Sequence, residues 1–276
     1  MKYHIEKNTV QETLVIPLYG RKMCSELYPN LFRDETAVQL INEIDYDFSL
    51  LEQKSGSLMQ QFGFLEAAMR QNDLAWEVRD YLKTHPRAAV VNLGCGLDNT
   101  GRCCDNGSCK IYNLDFPGVI EVRDQLLPAG EREQNIGCDL NDPAWFEKID
   151  AADGVVLFAA GVFYYFQTEQ VRTLVQGMAA AFPGGRLVFD AANRSAVKLM
   201  LKTWIKTAEI QDVGAYFAVS DAKQELSAWG PKLRISSRGY MLGYQSLDDP
   251  SVKWLYRLLA KIGDGRMKMQ IVRIEW

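Results

Sequence analysis

Histidine is scarce in this chain, which holds two in 276 residues, His4 and His85. Chemistry built on a histidine base or on imidazole metal ligands has little to draw on. Cysteine is present six times, but the Cys103-Cys104-x4-Cys109 group contains no C-x2-C pair and no nearby histidine. It lacks the spacing of a zinc site, and free thiols of a reducing compartment are expected. No block of like charge occurs, and a formal net charge of -4 with both signs interspersed argues against a nucleic-acid surface. The longest apolar run, Val155 to Phe166, is interrupted by Gly161 and is too short to span a bilayer. The opening M-K-Y-H-I-E-K has no apolar stretch leading to a cleavage site, so no signal peptide is read. A cytoplasmic protein without a membrane partner is the expectation. Internal repeats and low-complexity linkers are also missing, and a chain of this length buries a full core as one domain with or without a lid.

What the sequence does contain is organised around Ala88 to Asp115. A β-branched apolar run, A-A-V-V-N-L, ends in Gly94-x-Gly96, the mark of a buried strand turning sharply into a helix. Without Cβ atoms these glycines allow unusual dihedrals and the close approach of a ligand. A second run, K-I-Y-N-L-D, ends in Asp115, 21 positions after Gly94, where a carboxylate can accept from both hydroxyls of a ribose. An ordinary strand-end turn also reads G-x-G. The acid favours a bound nucleoside without choosing between NAD and S-adenosylmethionine, and Asn99 stands where a dinucleotide fingerprint has its third glycine.

Helical spacing at Ala37 to Ile44 and Gly63 to Leu82 places a helical region before the first strand, preceded by an arm with one helix. After Asp115 helices alternate with strands: helix Val119 to Leu127, strand Gln134 to Leu140, a turn at Pro143 to Lys148 and strand Gly154 to Ala159. Then come a helix from Thr168 to Phe182, opened by Thr168-Glu169 as a cap, and strand Arg186 to Asp190. Such alternation means right-handed crossovers and a parallel sheet, an α/β Rossmann-like fold. Further on, Ala196 to Ala208 and Val252 to Lys261 read as helices, Arg234 to Ser237 as a short strand and Met267 to Glu275 as an edge strand. The expected division is a cover at 1–85, a cofactor-binding core at 86–190, and a lid with closing strands at 191–276.

The segments H-P-R-A-A-V-V-N-L-G-C-G-L-D, N-L-D-F-P-G-V-I-E-V-R, A-G-V-x-x-Y and F-P-G-G-R-L-V-F-D together resemble the leucine carboxyl methyltransferase family, in particular its polyketide O-methyltransferase branch. A-A-M-R-Q-N-D and I-P-L-Y-G-R-K match that branch as well, so the similarity runs from about Thr13 to Asp190. The resemblance implies a class I methyltransferase: a mostly parallel seven-stranded sheet with an antiparallel last strand, binding S-adenosylmethionine beyond the strand ends. It puts Arg70, with Arg21 as helper, on the methionine carboxylate. Gly94 and Gly96 fall against methionine and ribose, Asp115 on the ribose hydroxyls, and Asp139 with Leu140 near adenine.

Plainer readings stand beside these. Arg70 is placed to pair with Asp73 on a solvated helix face, Asp139 to cap the turn N-D-P-A-W, and Arg21 and Lys22 to be ordinary surface charges. The chain also departs from the family, with Ala160 in place of an acid that can hold the ligand's ammonium, and Asn99-Thr100-Gly101-Arg102 in place of Thr-Arg. A noncatalytic binding homologue and, less favoured, an NAD-dependent oxidoreductase are the alternatives to an O-methyltransferase.

Histidine poverty bears on the acceptor. A phenol wants a base beside its hydroxyl, whereas a carboxylate is already ionised at pH 7. His85 precedes the first strand, at the sheet end away from the crevice, so a carboxylic acid acceptor, small and polyketide-like, is favoured over a hydroxyl. Tyr164, Tyr165, Arg194, Tyr240 and Tyr244 are candidates to orient it, each Tyr being equally a core aromatic. Trp204, Tyr216, Phe217 and Trp229 suit an apolar acceptor pocket. Oligomeric state is left open.

Overall fold

The computed structural model describes residues 2–5, 12–200, 214 and 216–276. Four helices come first: α1 (Glu12–Leu27), α2 (Glu35–Glu43), α3 (Ser49–Ser55) and α4 (Leu58–Leu82). Two short strands, β1 (Tyr3–His4) and β2 (Ile44–Asp45), pair in parallel beside them. Helix starts are set by side-chain caps. Asp34 accepts the Ala37 N–H to begin α2, and Ser57 accepts the Gln60 N–H to begin α4. The Ser57 cap starts α4 five residues ahead of the apolar spacing that reveals it in the sequence.

The α/β unit follows as β3 (Ala89–Leu93), α5 (Thr100–Cys103), β4 (Lys110–Asp115), α6 (Pro117–Leu126), β5 (Glu133–Gly137), β6 (Val155–Ala159), α7 (Thr168–Ala181) and β7 (Arg186–Ala191). The chain closes with α8 (Arg194–Met200), α9 (Ala222–Leu226), β8 (Arg234–Gly239), α10 (Trp254–Gly265) and β9 (Gln270–Glu275). The seven strands lie in the order β5-β4-β3-β6-β7-β9-β8, parallel except for β9, which runs against both neighbours. Every residue of β3, β6 and β7 is buried, because helices cover both faces of the sheet. The two-residue strand period divides the core accordingly. Val90, Val156, Phe158 and Val188 face the layer that holds α4, and Val91, Leu157, Leu187 and Phe189 face the other.

The structure corrects several details of the sequence reading. β9 lies inside the sheet rather than at its edge, with Ile271, Val272 and Ile274 fully buried, and the edge is the more exposed β8. Alternating charges in β9 look like a solvated face, yet Arg273 reaches back to the buried Glu77. β5 stops at Gly137, short of Asp139. The cap of α7 is one residue earlier than expected, where the Gln170 amide oxygen accepts the Gln167 N–H. The helix expected to Ala208 is described as far as Met200, and Trp204 lies outside the described residues. No helix among the described residues is long and apolar enough to cross a membrane.

Candidate cofactor site at the strand ends

Beyond the carboxyl end of β3 the chain makes two left-handed turns, at Gly94 (φ 64°) and Gly96 (φ 46°). Only glycine fits the first, since a Cβ there would meet Val162 Cγ2 at 2.5 Å. The turn is then held from three directions. The buried Arg123 donates through one nitrogen to the carbonyls of Gly96 at 2.8 Å and Asp98 at 2.7 Å. Asn92 donates to Asp98 at 3.0 Å. From α1, Arg21 donates to Asp98 at 3.1 Å and to the Leu97 carbonyl at 3.0 Å while its Nε pairs with Asp34. Arg21 is therefore no surface charge, but a buried tie that seats the arm on the turn. Lys22 remains an ordinary pair with Glu26.

Asp115, at the end of β4, accepts the N–H groups of Gly96 and Phe116, each at 2.8 Å. Burial raises its carboxyl above the usual range, opposed by those two N–H groups and by Arg123. Across the sheet, at the ends of β6 and β7, sits a second polar group. Asp190 is buried, accepting the Gly161 N–H at 2.6 Å and the Arg70 guanidinium at 3.1 Å. Burial works against the Arg70 charge, and the Asp190 carboxylate outweighs it, leaving the guanidinium more basic than usual. Arg70 is thus committed to Asp190, 120 residues away, and not to Asp73 one turn on.

Between the two groups lies a cavity of about 530 Å³, a size that suits a small organic ligand. Leu14 and Leu18 of α1 and Ala67 of α4 roof it, and the exposed ring of Phe116 flanks its Asp115 end. From β4 to β7 is three strand spacings, about 14 Å. Among the described residues of the lining, two buried polar atoms have neither a hydrogen-bond nor an ion-pair partner, Arg70 Nε and Gln71 Oε1. The partly exposed Arg70 guanidinium offers donors to a carboxylate, and the acid with the exposed ring matches a nucleoside. The lining therefore fits S-adenosylmethionine.

Of the residues singled out from the sequence, Arg70, Arg21, Gly94, Gly96, Asp115, Ala160, Tyr165 and Tyr216 line this cavity, whereas Phe217 and Trp229 pack in the core and line neither described cavity. Asp139 and Leu140 do not line it. With β5 ending at Gly137, Asp139 turns back to accept from the Asn141 backbone and amide at 2.9 Å, and Leu140 packs in the core, so that Asn141 faces the cavity instead. Arg194 is exposed and lines no described cavity. Tyr240 lines a second cavity of about 150 Å³ with Glu66 and Tyr164, next to the Asp190 carboxylate that Tyr164 contacts. Tyr244 donates to Glu77 at 2.7 Å and packs its ring on Trp76, lining neither cavity. His85 stacks on Tyr81 and His4 sits exposed against Asp45, so neither histidine borders either cavity. Gln71, Glu66, Asn92, Asp98, Arg123 and Asp190 were not singled out. All but Glu66 lie inside segments that carry the family resemblance, and Asp190, closing the run L-V-F-D, has a signal of its own as an acid at a strand end.

This strand order, the lone antiparallel β9 and a ligand cavity beyond the parallel strand ends define the class I methyltransferase fold. Solved structures share it. One is a Thermobifida fusca protein described provisionally as a methyltransferase, with a TM-score of 0.60 and 13% identity over 92% of this chain and 93% of that one. Another is an O-methyltransferase family protein from Burkholderia thailandensis, with a TM-score of 0.50 and 14% identity over 94% of this chain and 70% of that one. The family model for leucine carboxyl methyltransferases matches residues 18–179, more than half of the sequence, and the chain belongs to that family. It is an S-adenosylmethionine-dependent methyltransferase. A relative in Streptomyces glaucescens, the tetracenomycin polyketide synthesis O-methyltransferase TcmP, is 25% identical over 268 residues, 96% of each chain.

Proposed function

We propose that the 530 Å³ cavity holds S-adenosylmethionine and that the protein methylates a carboxylate oxygen of an apolar, polyketide-like small molecule. In this reading the cofactor rests on residues 86–190, with 1–85 as its cover and 191–276 as the acceptor lid. The observation that carries it is a cavity lined both by the partly exposed Arg70 guanidinium and by Asp115 at the end of β4. Arg70 supplies donors for the methionine carboxylate, and Asp115 keeps acceptor capacity for the ribose hydroxyls. The bound cofactor supplies a methyl group already activated by its sulfonium. What remains for the chain is to align an acceptor oxygen and exclude water.

The acceptor side is supported by composition and by the relative's polyketide acceptor class. Tyr165 is 43% exposed on the cavity wall, and burial raises its hydroxyl above the ordinary value against the pull of Arg70, so it is a donor at pH 7. Tyr164 and Tyr240, raised well above 10 by burial, bring two further hydroxyls to the small cavity, which is otherwise walled largely by methionine and aliphatic side chains. Titration calorimetry tests the cofactor half. Micromolar binding of S-adenosylmethionine is expected, with at least a tenfold loss, about 1.4 kcal/mol, in Arg70→Ala and in Asp115→Ala. Wild-type affinity in both variants would place the ligand elsewhere.

One observation favours a hydroxyl acceptor as a second reading. Glu66 borders the small cavity, and burial lifts its carboxyl to about 7, with Arg70 pulling the other way. A carboxylate poised there suits a general base. If it acts so, methylation of phenols rises as pH passes upward through about 7, because the base must lose its proton, and Glu66→Gln abolishes that rise. Carboxylic acids, ionised well below this range, are methylated by the same variant at the wild-type rate. Turnover of phenols alone would overturn the carboxylate reading in favour of this one.

A further inference from the structure

We propose that the small cavity beside Asp190 is a binding site for one hydroxylated aromatic ring, with the ring's hydroxyl donating to Glu66. The cavity measures about 150 Å³. A void of this volume walled by aliphatic and aromatic side chains takes a single benzene-sized ring. The walls suit such a ring, because Met59, Met200, Met267 and Met269 contribute to them and methionine sulfurs pack favourably against aromatic rings. Met59 and Leu199 line the cavity and are also exposed, which leaves a route in from solvent. The site is distinct from the cofactor cavity, although the two share their supports. On α4, Ala67 lines the large cavity and Glu66 the small one, and after β6, Tyr165 lines the large cavity and Tyr164 the small one. The assignment concerns binding alone and stands whichever acceptor oxygen is methylated.

What the polar end can hold follows from its charges. Glu66 lies four residues before Arg70, the spacing of a helical ion pair, yet Arg70 is committed to Asp190. Among the described residues neither an ion pair nor a hydrogen bond reaches the Glu66 carboxyl, on which Arg70 acts only through its charge. Glu66 is partly exposed and lines the cavity, so it remains open as an acceptor. Tyr164 directs its hydroxyl to Asp190, and of the charges around the buried Tyr240 hydroxyl, Glu66 acts on it most. Glu66 repels an anion. A cation is disfavoured by Arg70, whose positive charge reaches Glu66, Tyr164 and Tyr240 alike. A neutral hydroxyl is the donor left, and its bond to a carboxylate is charge-assisted.

The test is titration calorimetry with phenol and with toluene on wild type, Glu66→Leu and Ala196→Met, with thermal melts to verify each fold. The titrations are run at pH 8, above the value of about 7 to which burial lifts the Glu66 carboxyl. Wild type is expected to bind both rings, phenol about tenfold more tightly. Glu66→Leu is expected to bind toluene at least as tightly as wild type does and to lose the preference for phenol. Ala196→Met, which fills the cavity from its wall, is expected to weaken both at least tenfold. Four results would each overturn the assignment: no binding of either ring by wild type, no preference for phenol in wild type, a preference that survives in Glu66→Leu, or wild-type affinities in Ala196→Met. A competition with 6-hydroxy-2-naphthoic acid identifies where the ring comes from, and the assignment holds in both of its outcomes. Displacement of phenol means that the cavity seats the hydroxylated end of the acceptor, whereas phenol binding unchanged beside it means that the cavity takes a separate phenolic molecule.

Discussion

Asp190→Ala is expected to lower stability by about 3–5 kcal/mol, the usual effect of removing one partner from a buried ion pair. The fall in Tm is roughly 6–15 °C for a chain of this size. The carboxylate has two tasks. It is the counter-charge that lets Arg70 stay ionised against burial, and it satisfies the N–H of Gly161, itself in a left-handed turn where a Cβ would come within 2.9 Å of the guanidinium. Asp190→Asn retains an acceptor for that N–H and loses the charge, so it is expected to fall between wild type and Asp190→Ala. Cofactor affinity drops in both, because Arg70 no longer has a fixed position. Thermal melts and calorimetry on the two variants check this. An Asp190→Ala protein melting within a degree or two of wild type would show that the pair is not the anchor of this end of the cavity.

Asp73→Asn is expected to act in the opposite direction, gaining stability relative to wild type as pH rises. Asp73 is 2% exposed on α4, and one carboxyl oxygen has no hydrogen-bond partner. Burial, then the like charges of Asp264 and Glu77, push its carboxyl up to about 9. In the unfolded chain an aspartate titrates near 3.9. Between these values the native state holds a proton that the unfolded state has released, so this group's contribution is complete below about pH 4. It diminishes by about 1.4 kcal/mol per unit as pH rises towards 9. An amide does not titrate. The stability of Asp73→Asn relative to wild type is therefore expected to grow from pH 5 to pH 8 by up to about 4 kcal/mol. Denaturant titrations at three pH values read it directly, and a difference that stays flat with pH would mean that Asp73 is ionised in the folded protein.

The pattern around Asp73 shows how far sequence spacing reaches. Three residues after Arg70 it offers an i,i+3 salt bridge, and the structure makes neither end available for one. Arg70 points towards the strand ends and Asp190, whereas Asp73 is buried near Asp264 and Glu77. Local spacing states which residues a helix places near each other, but a partner 120 residues away is chosen by how the helix packs on the sheet. The same reason separates Asp115 from Asp139. Both follow apolar runs, yet β4 carries Asp115 to its last position, while β5 stops at Gly137 and lets the chain turn before Asp139 can reach the cavity. Arg21 differs again. A surface charge by composition, it is buried because α1 folds over the turn after β3.

By itself the sequence determined the α/β class, the parallel sheet with one reversed strand, the methyltransferase family and the cofactor it implies. Those are written in patterns that repeat over short distances: apolar runs of strand length, helical spacing between them, and glycines at a strand-end turn where a Cβ does not fit. The tertiary structure alone decided which polar atoms are left without partners. Arg70 Nε and Gln71 Oε1 are ordinary side-chain atoms in any linear reading. Whether such an atom finds a partner is settled by the fold, which commits Asp98 to Arg21 and Asn92, and Asp190 to Gly161 and Arg70. Hydrogen-bond commitment is a property of three-dimensional neighbours, and no spacing along one strand or helix reports it.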